Sequence, residues 1–178
     1  PPLNEGAKPR KVPSEPQTGA ERDPHDRSWW MTAEQCADAI KMHPHNQLRP
    51  GVVLSETDPY FLLDLDDCHD GIDWSQGALS ILQLFPGAAV EVSINGRGLH
   101  ILGQCDQSAF SDRRNKFNLY GVECEFYHTK RFIALGHGFQ GQPDYDWTAQ
   151  LLNILPVREF VQKLPLTDTP DPEWSGPE

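Results

Sequence analysis

The chain has 178 residues, 38% hydrophobic and 23% charged, with a formal charge of −11, which predicts one domain with enough apolar material for a packed core. No apolar run approaches the roughly 20 residues of a membrane helix, and the opening Pro1-Pro2-Leu3-Asn4-Glu5 has no signal-peptide form. Four cysteines (Cys36, Cys68, Cys105, Cys124) without a Cys-x-x-Cys pair exclude a disulfide scaffold and predict a reducing, cytoplasmic setting.

Residues 1–28, rich in proline, glycine and charge, read as an extended arm whose basic cluster is Lys8-Pro9-Arg10-Lys11. Thr32-Ala33-Glu34-Gln35 has the form of a capping box and starts a helix running to Met42, with Cys36, Ala37, Ile40 and Met42 facing inward. Gly51-Val52-Val53-Leu54 and Tyr60-Phe61-Leu62-Leu63-Asp64-Leu65-Asp66 read as strands, and the polar turn between them suggests a hairpin. Asp73 is the expected cap of a second helix through Leu84, with Trp74, Ala78, Ile81, Leu82 and Phe85 on one face and Pro86 as its stop. Strands at 89–93 and 99–102 flank a glycine-bearing turn, and 122–127 with 131–135 predict another hairpin. Residues 148–164 are helical in pattern but interrupted by Pro156, giving two short helices, and the acidic, proline-containing end from Pro165 is expected to be disordered. The order predicts an α+β fold with a mixed or antiparallel sheet and boundaries at 1–28, 29–164 and 165–178. No heptad or large amphipathic stripe suggests a dimer.

The negative total argues at first against a nucleic-acid partner, because phosphate contacts want lysine and arginine. Its distribution says more. Residues 56–73 hold Glu56, Asp58, Asp64, Asp66, Asp67, Asp70 and Asp73 without a lysine or arginine, whereas Arg97, Arg113, Arg114, Lys116, Lys130 and Arg131 follow. An acidic cluster ahead of a basic segment suits a site that holds metal cations and phosphates together; the plain alternative is a solvated acidic surface. Asp64 and Asp66, two apart on a strand, project from one face roughly 7 Å apart. Carboxylates aimed at one spot repel unless a cation lies between them, and hard divalent ions take oxygen ligands. Glu125, sharing a face with Glu123, is the natural third ligand of a two-metal phosphoryl-transfer site. His100 lies in an apolar strand just after Asn95-Gly96-Arg97-Gly98, where it is either structural or, with Arg97, a polyphosphate contact. Arg131 would add another. Zinc is the competing use of Cys68-His69 and of His43 with His45, but neither pair has zinc-finger spacing.

The run Tyr60 to Asp66, then Glu91-Val92-Ser93-Ile94-Asn95-Gly96-Arg97-Gly98-Leu99-His100, then Glu125-Phe126-Tyr127 and Arg131-Phe132 resembles the archaeo-eukaryotic primase superfamily. More narrowly, it is similar to the primase-polymerase domains of phages and plasmids, over about residues 8–140. The resemblance implies a modified RNA-recognition-like sheet with packed helices and a small α/β unit. It implies that Asp64, Asp66 and Glu125 bind two magnesium or manganese ions. His100 would contact the incoming triphosphate with help from Ser93, Arg97 and Arg131, and Lys8 and Lys11, with Arg10, would approach nucleotide or template. The partners implied are template and primer DNA and dNTPs or NTPs, with a helicase domain possible in a longer parent chain. Ile94-Asn95 stands where the family commonly has Pro-Ser and Lys130 where glycine is frequent; residues 1–7 show no counterpart of the aromatic strand that usually precedes the Lys-x-Pro element, which is either trimmed from this sequence or lost. A metal-dependent nuclease or phosphoesterase would use the same acids, and a non-catalytic nucleotide- or nucleic-acid-binding module is the third reading.

Overall fold

The computed structural model describes residues 11–158. Lys8, Arg10 and the acidic end from Pro165 lie outside those residues. The order is α1 (Ala33–Met42), β1 (Gly51–Leu54), β2 (Tyr60–Asp66), α2 (Gln76–Gln83), β3 (Ala89–Val92), β4 (Leu99–Gln104), β5 (Lys116–Leu119), β6 (Val122–Tyr127), β7 (Arg131–Ala134) and α3 (Thr148–Ile154). The class is α+β with antiparallel sheets, as expected. No described helix is long and apolar enough to cross a membrane.

α1 begins as its sequence dictates. Thr32 Oγ1 accepts from the Gln35 amide while the Gln35 side chain accepts from the Thr32 amide, so two otherwise unpaired helix-end donors are satisfied reciprocally. Only Ala39 of this helix is fully buried, and the expected inward positions Ala37 and Met42 are exposed. α2 is capped by Ser75, whose hydroxyl accepts from the Ala78 amide, and not by Asp73. Asp73 instead closes a turn in which the Asp70 carboxylate accepts from the Ile72 and Asp73 amides. α3 ends at Ile154, and past Pro156 Val157 bridges to Arg113; the rest of the expected second helix, 159–164, lies outside the described residues.

Strand pairing departs from the expectation more strongly. β3 and β4 pair as predicted, but β1 pairs with β7 instead of β2, and β6 pairs with β2 and β5 instead of β7. The large sheet has the order β3-β4-β2-β6-β5, which puts β2 at its centre, and β1-β7 form a separate two-stranded sheet. The physical reason is that both edges of β6 are occupied. β5, a strand the sequence reading missed, folds back onto it through Tyr120 and Gly121, both at positive φ (51° and 82°), the backbone of a tight two-residue hairpin.

Alternation along β2 sorts its residues between two layers. Phe61, Leu63 and Leu65 enter one core with Ile101, Phe126, Ala78 and Ile81 of α2 and Leu151 of α3. Leu62 faces the other way, into a smaller core with Leu54, Tyr127 and Ile133 contributed partly by the β1-β7 pair. That smaller core covers only one end of the second face. Asp64 and Asp66 follow Leu62 on the same face, and Asp64 opens into a cleft lined by β7.

Candidate active site

Cross-strand partners share a face, so the register assembles the site. Asp64 lies between His100 of β4 and Glu125 of β6, and Asp66 lies opposite Glu123. His100 in turn lies opposite Glu91 of β3. Four strands therefore contribute adjacent polar side chains at the centre of the sheet.

Burial pushes the Asp64 carboxyl above its ordinary range; His100 and Lys11 oppose the shift, while the Asp66 and Glu125 carboxylates add to it. His100 is almost wholly buried. Its Nε2 lies 3.5 Å from Asp64 Oδ1, and its Nδ1 lies 2.6 Å from Glu91 Oε1. Glu91 is 2% exposed, and its second oxygen accepts from the Gly136 and Gly138 amides at 3.0 and 3.3 Å.

Cations surround Glu125. Lys116, its cross-strand partner on β5, ion-pairs with its Oε1, and Arg131 Nη2 approaches Oε2 at 4.0 Å. Hydrogen bonding to Glu125 raises the Lys116 pKa, which keeps the ammonium charged. The Arg131 guanidinium also lies 4.3 Å from the Tyr127 ring centroid and donates to Tyr127 Oη at 2.9 Å. A cleft of about 290 Å³ opens over these groups, lined by Lys11, Asp64, His100, Tyr127, Arg131 and Phe132 among others. An acidic floor with a basic rim can bind an anion and the cation that accompanies it.

A divalent ion is what the resemblance implies here. The donors Asp64, Asp66 and Glu125 are all carboxylates, the hard oxygen ligands magnesium and manganese take. Burial is the main reason Asp64 is raised, and the repulsion from Asp66 and Glu125 that adds to it is what a cation would relieve. Among the described residues no three His, Cys, Asp or Glu side chains are already gathered into an ion-holding group. Glu125 is engaged by Lys116 instead, so the donor set fits in kind while one donor is held by a protein cation.

Two of the expected phosphate contacts lie elsewhere. Ser93 Oγ accepts from the Gly98 amide at 3.0 Å and donates to Asn95 Oδ1 at 2.8 Å, closing the turn before β4. Arg97 Nε pairs with Asp67 at 2.7 Å and lines a separate cleft of about 210 Å³ with Asp67, His69, Asp70 and Trp74. The turn's glycines have distinct jobs. Gly96 has φ +73°, and a Cβ on Gly98 would stand 2.7 Å from the Leu65 carbonyl oxygen, so the turn lies directly against the backbone joining Asp64 and Asp66. Lys130 has φ 50°, a left-handed conformation that glycine takes freely.

Neither zinc pair is assembled. Cys68 is buried with its thiol directed to the Leu65 carbonyl, and the His69 ring packs edgewise on Trp74 at 4.5 Å. All four cysteines are free, and burial pushes the Cys105 and Cys124 thiols up to about 12. The sequence reading gave no role to Glu91 or Lys116. For Glu91 the available signal was an acid flanked by apolar residues in Ala89-Val90-Glu91-Val92; for Lys116 there was none before β5 was known to pair with β6.

No family model matches the chain. Over 140 residues it is 25% identical to a DNA primase-polymerase of Nitratiruptor phage NrS-1, a match that covers 75% of this chain and 18% of that protein. The chain thus spans less than a fifth of that relative's length. The relationship to a primase-polymerase is a distant one.

Proposed function

We propose that this chain is the catalytic domain of a DNA primase-polymerase, with residues 29–164 as the catalytic unit, 1–28 as its arm and 165–178 as an acidic tail. It would join nucleotides on a DNA template, for primer synthesis and extension in the replication of a phage or mobile element. The observation that carries the reading is the cross-strand row in which Asp64 stands between His100 and Glu125, at the floor of a cleft rimmed by Lys11 and Arg131. The distant relationship to a phage primase-polymerase supports the same chemistry.

Asp64, Asp66 and Glu125 would hold magnesium or manganese, which when bound lowers the pKa of the attacking 3′-hydroxyl and offsets charge on the leaving pyrophosphate. The chain's own residues do the rest. Lys11 and Arg131 bind the polyphosphate from the rim, and His100 Nε2 faces it from the floor. Burial disfavours the Asp64 anion while His100 and Lys11 favour it, so a metal held there would add the positive charge the buried carboxylate lacks. Arg97 and Ser93 act through the turn that supports the acids, and Arg97 is free to swing toward phosphate only by leaving Asp67. With a net charge of −11, template affinity from this domain alone is weak and steeply salt-dependent.

The test is a gel assay on a primed DNA template with magnesium or manganese and with dNTPs or NTPs, beside Asp64→Ala/Asp66→Ala and an EDTA control. Template-dependent extension that vanishes in the double variant and with EDTA supports the proposal, and product in an unprimed lane adds primase activity. Shortening of the primer would transfer the site to a nuclease. Absence of any reaction, with metal and nucleotide still binding, would leave a binding module.

A further inference from the structure

We propose that Glu91 is the positioning residue of the site: its buried carboxylate sets which nitrogen of His100 faces the cleft and joins His100 to the loop after β7. The inference rests on the nucleotidyl-transfer reading for its consequence, but its structural content stands apart from turnover. Glu91 and His100 are almost completely buried, side by side across β3 and β4. A carboxylate in that position needs donors, and three converge on it. His100 Nδ1 reaches Oε1 at 2.6 Å, and the Gly136 and Gly138 amides reach Oε2 at 3.0 and 3.3 Å. With the Glu91 carboxylate ionised, as two converging amide donors on its other oxygen favour, it can only accept, so Nδ1 carries the hydrogen. Nε2 is then the nitrogen presented to Asp64 and the cleft, and the ring cannot flip without breaking the shortest of the three bonds.

The same carboxylate has a second consequence. The loop it grips follows β7, the strand that begins with Arg131, and it lies so close to β3 that a Cβ on Gly136 would stand 2.0 Å from the Val92 carbonyl oxygen. His137 and Gln140 continue the contact through backbone bonds to Val92 and Val90. One buried group therefore indexes the floor residue His100 against the segment that follows the rim residue Arg131. A purely structural role, anchoring the loop without regard to His100, is the alternative the experiment must separate.

The direct readout is the tautomer. In protein labelled with ¹⁵N-histidine, two-bond ¹H–¹⁵N spectra of wild type, assigned through His100→Ala, should show Nδ1 of His100 protonated. A neutral His100 ring carrying its hydrogen on Nε2 alone would overturn the proposal, whether or not the protein polymerises DNA. Glu91→Gln tests the consequence. An amide must direct its NH2 at either His100 Nδ1 or the two glycine amides, so the His100 nitrogen signals should move and the nucleotide KM should rise about tenfold or more, with a smaller change in kcat. In a His100→Ala background the same substitution should add little to KM. An equal rise in both backgrounds, or unchanged nitrogen signals in Glu91→Gln, would assign Glu91 to the loop alone. Failure of the extension assay with Nδ1 still protonated would remove the polymerase reading while leaving the Glu91–His100 pair intact.

Discussion

The two faces of the five-stranded sheet are written by the same strands but serve different ends. Under α2 and α3, Phe61, Leu63 and Leu65 of β2 meet Ile101 and Phe126 in an unbroken apolar layer. On the other face the cross-strand pairs change character along the sheet, from Leu62 beside Tyr127 to Asp64 beside Glu125 and then Asp66 beside Glu123. The first pair is packed under β1 and β7; Asp64 opens into the cleft that β7 lines. Where packing gives way to the cleft, the strands exchange dispersion and burial for charge. One face holds the fold together, and the cleft end of the other stores repulsion that a ligand can relieve.

If that division holds, the largest stability effect belongs to the covered face. Leu63→Ala removes a fully buried side chain from the layer beneath α2 and should cost about 2–5 kcal/mol, read as a fall in the urea midpoint at unchanged slope. Residual activity per folded molecule should stay near wild type, because Leu63 points away from the acids. A matching loss in specific activity would mean that the faces are mechanically coupled.

Gly98→Ala tests a place where packing presses on the backbone that carries the site. The new Cβ would meet the Leu65 carbonyl oxygen at 2.7 Å and Ser93 Oγ at 3.0 Å. The Leu65 backbone cannot yield without moving Asp64 and Asp66 on either side of it, so a loss of about 1–3 kcal/mol should come with a drop in kcat. Thermal melts and single-turnover assays on one preparation separate the two.

Asp64→Asn should act in the opposite sense on stability. Because burial raises the Asp64 pKa in the folded protein, the folded state binds that proton more tightly than the unfolded chain does. The cost of the ionised form is therefore absent below the ordinary carboxylate range and grows as pH rises through it to the raised folded value. In EDTA at neutral pH the asparagine variant should melt a few degrees higher than wild type and lose its advantage on acidification, while extension activity is abolished. A variant that melts lower at neutral pH would show that His100 and Lys11 outweigh burial.

Much of this was readable before the fold was known, and the failures have physical causes. The capping box at Thr32 and the strands around Asp64, His100 and Glu125 stood out because each depends on residues within one segment. The pairings of β1 with β7 and of β5 with β6 did not, since apolar alternation marks a strand without naming its partner. Lys116-Phe117-Asn118-Leu119 alternates too briefly, inside a basic stretch, to look like a strand at all, although Tyr120-Gly121 marks its turn. The same limit hid Glu91. An acid in a strand becomes a histidine's partner only once the register of β3 against β4 is set, whereas Asp64 and Asp66 declare a shared face by spacing alone.

The smallest effect concerns the turn from β6 to β7, where the chain leaves the large sheet to build the roof. Lys130 occupies a left-handed conformation, φ 50°, which costs a non-glycine residue about 1–2 kcal/mol. Lys130→Gly relieves that strain but increases the freedom of the unfolded chain by about 0.5–1 kcal/mol. It also removes the exposed Lys130–Glu56 ion pair, 2.6 Å between charged atoms, a class of contact with little net worth. The balance should be a gain below about 1 kcal/mol, visible as a small rise in melting temperature and weaker salt dependence. Arg131 begins the very next strand, so the nucleotide KM reports whether the turn matters to the site. An unchanged KM would keep the roof and the rim independent, whereas a raised KM would make Lys130 part of how Arg131 is aimed at the cleft.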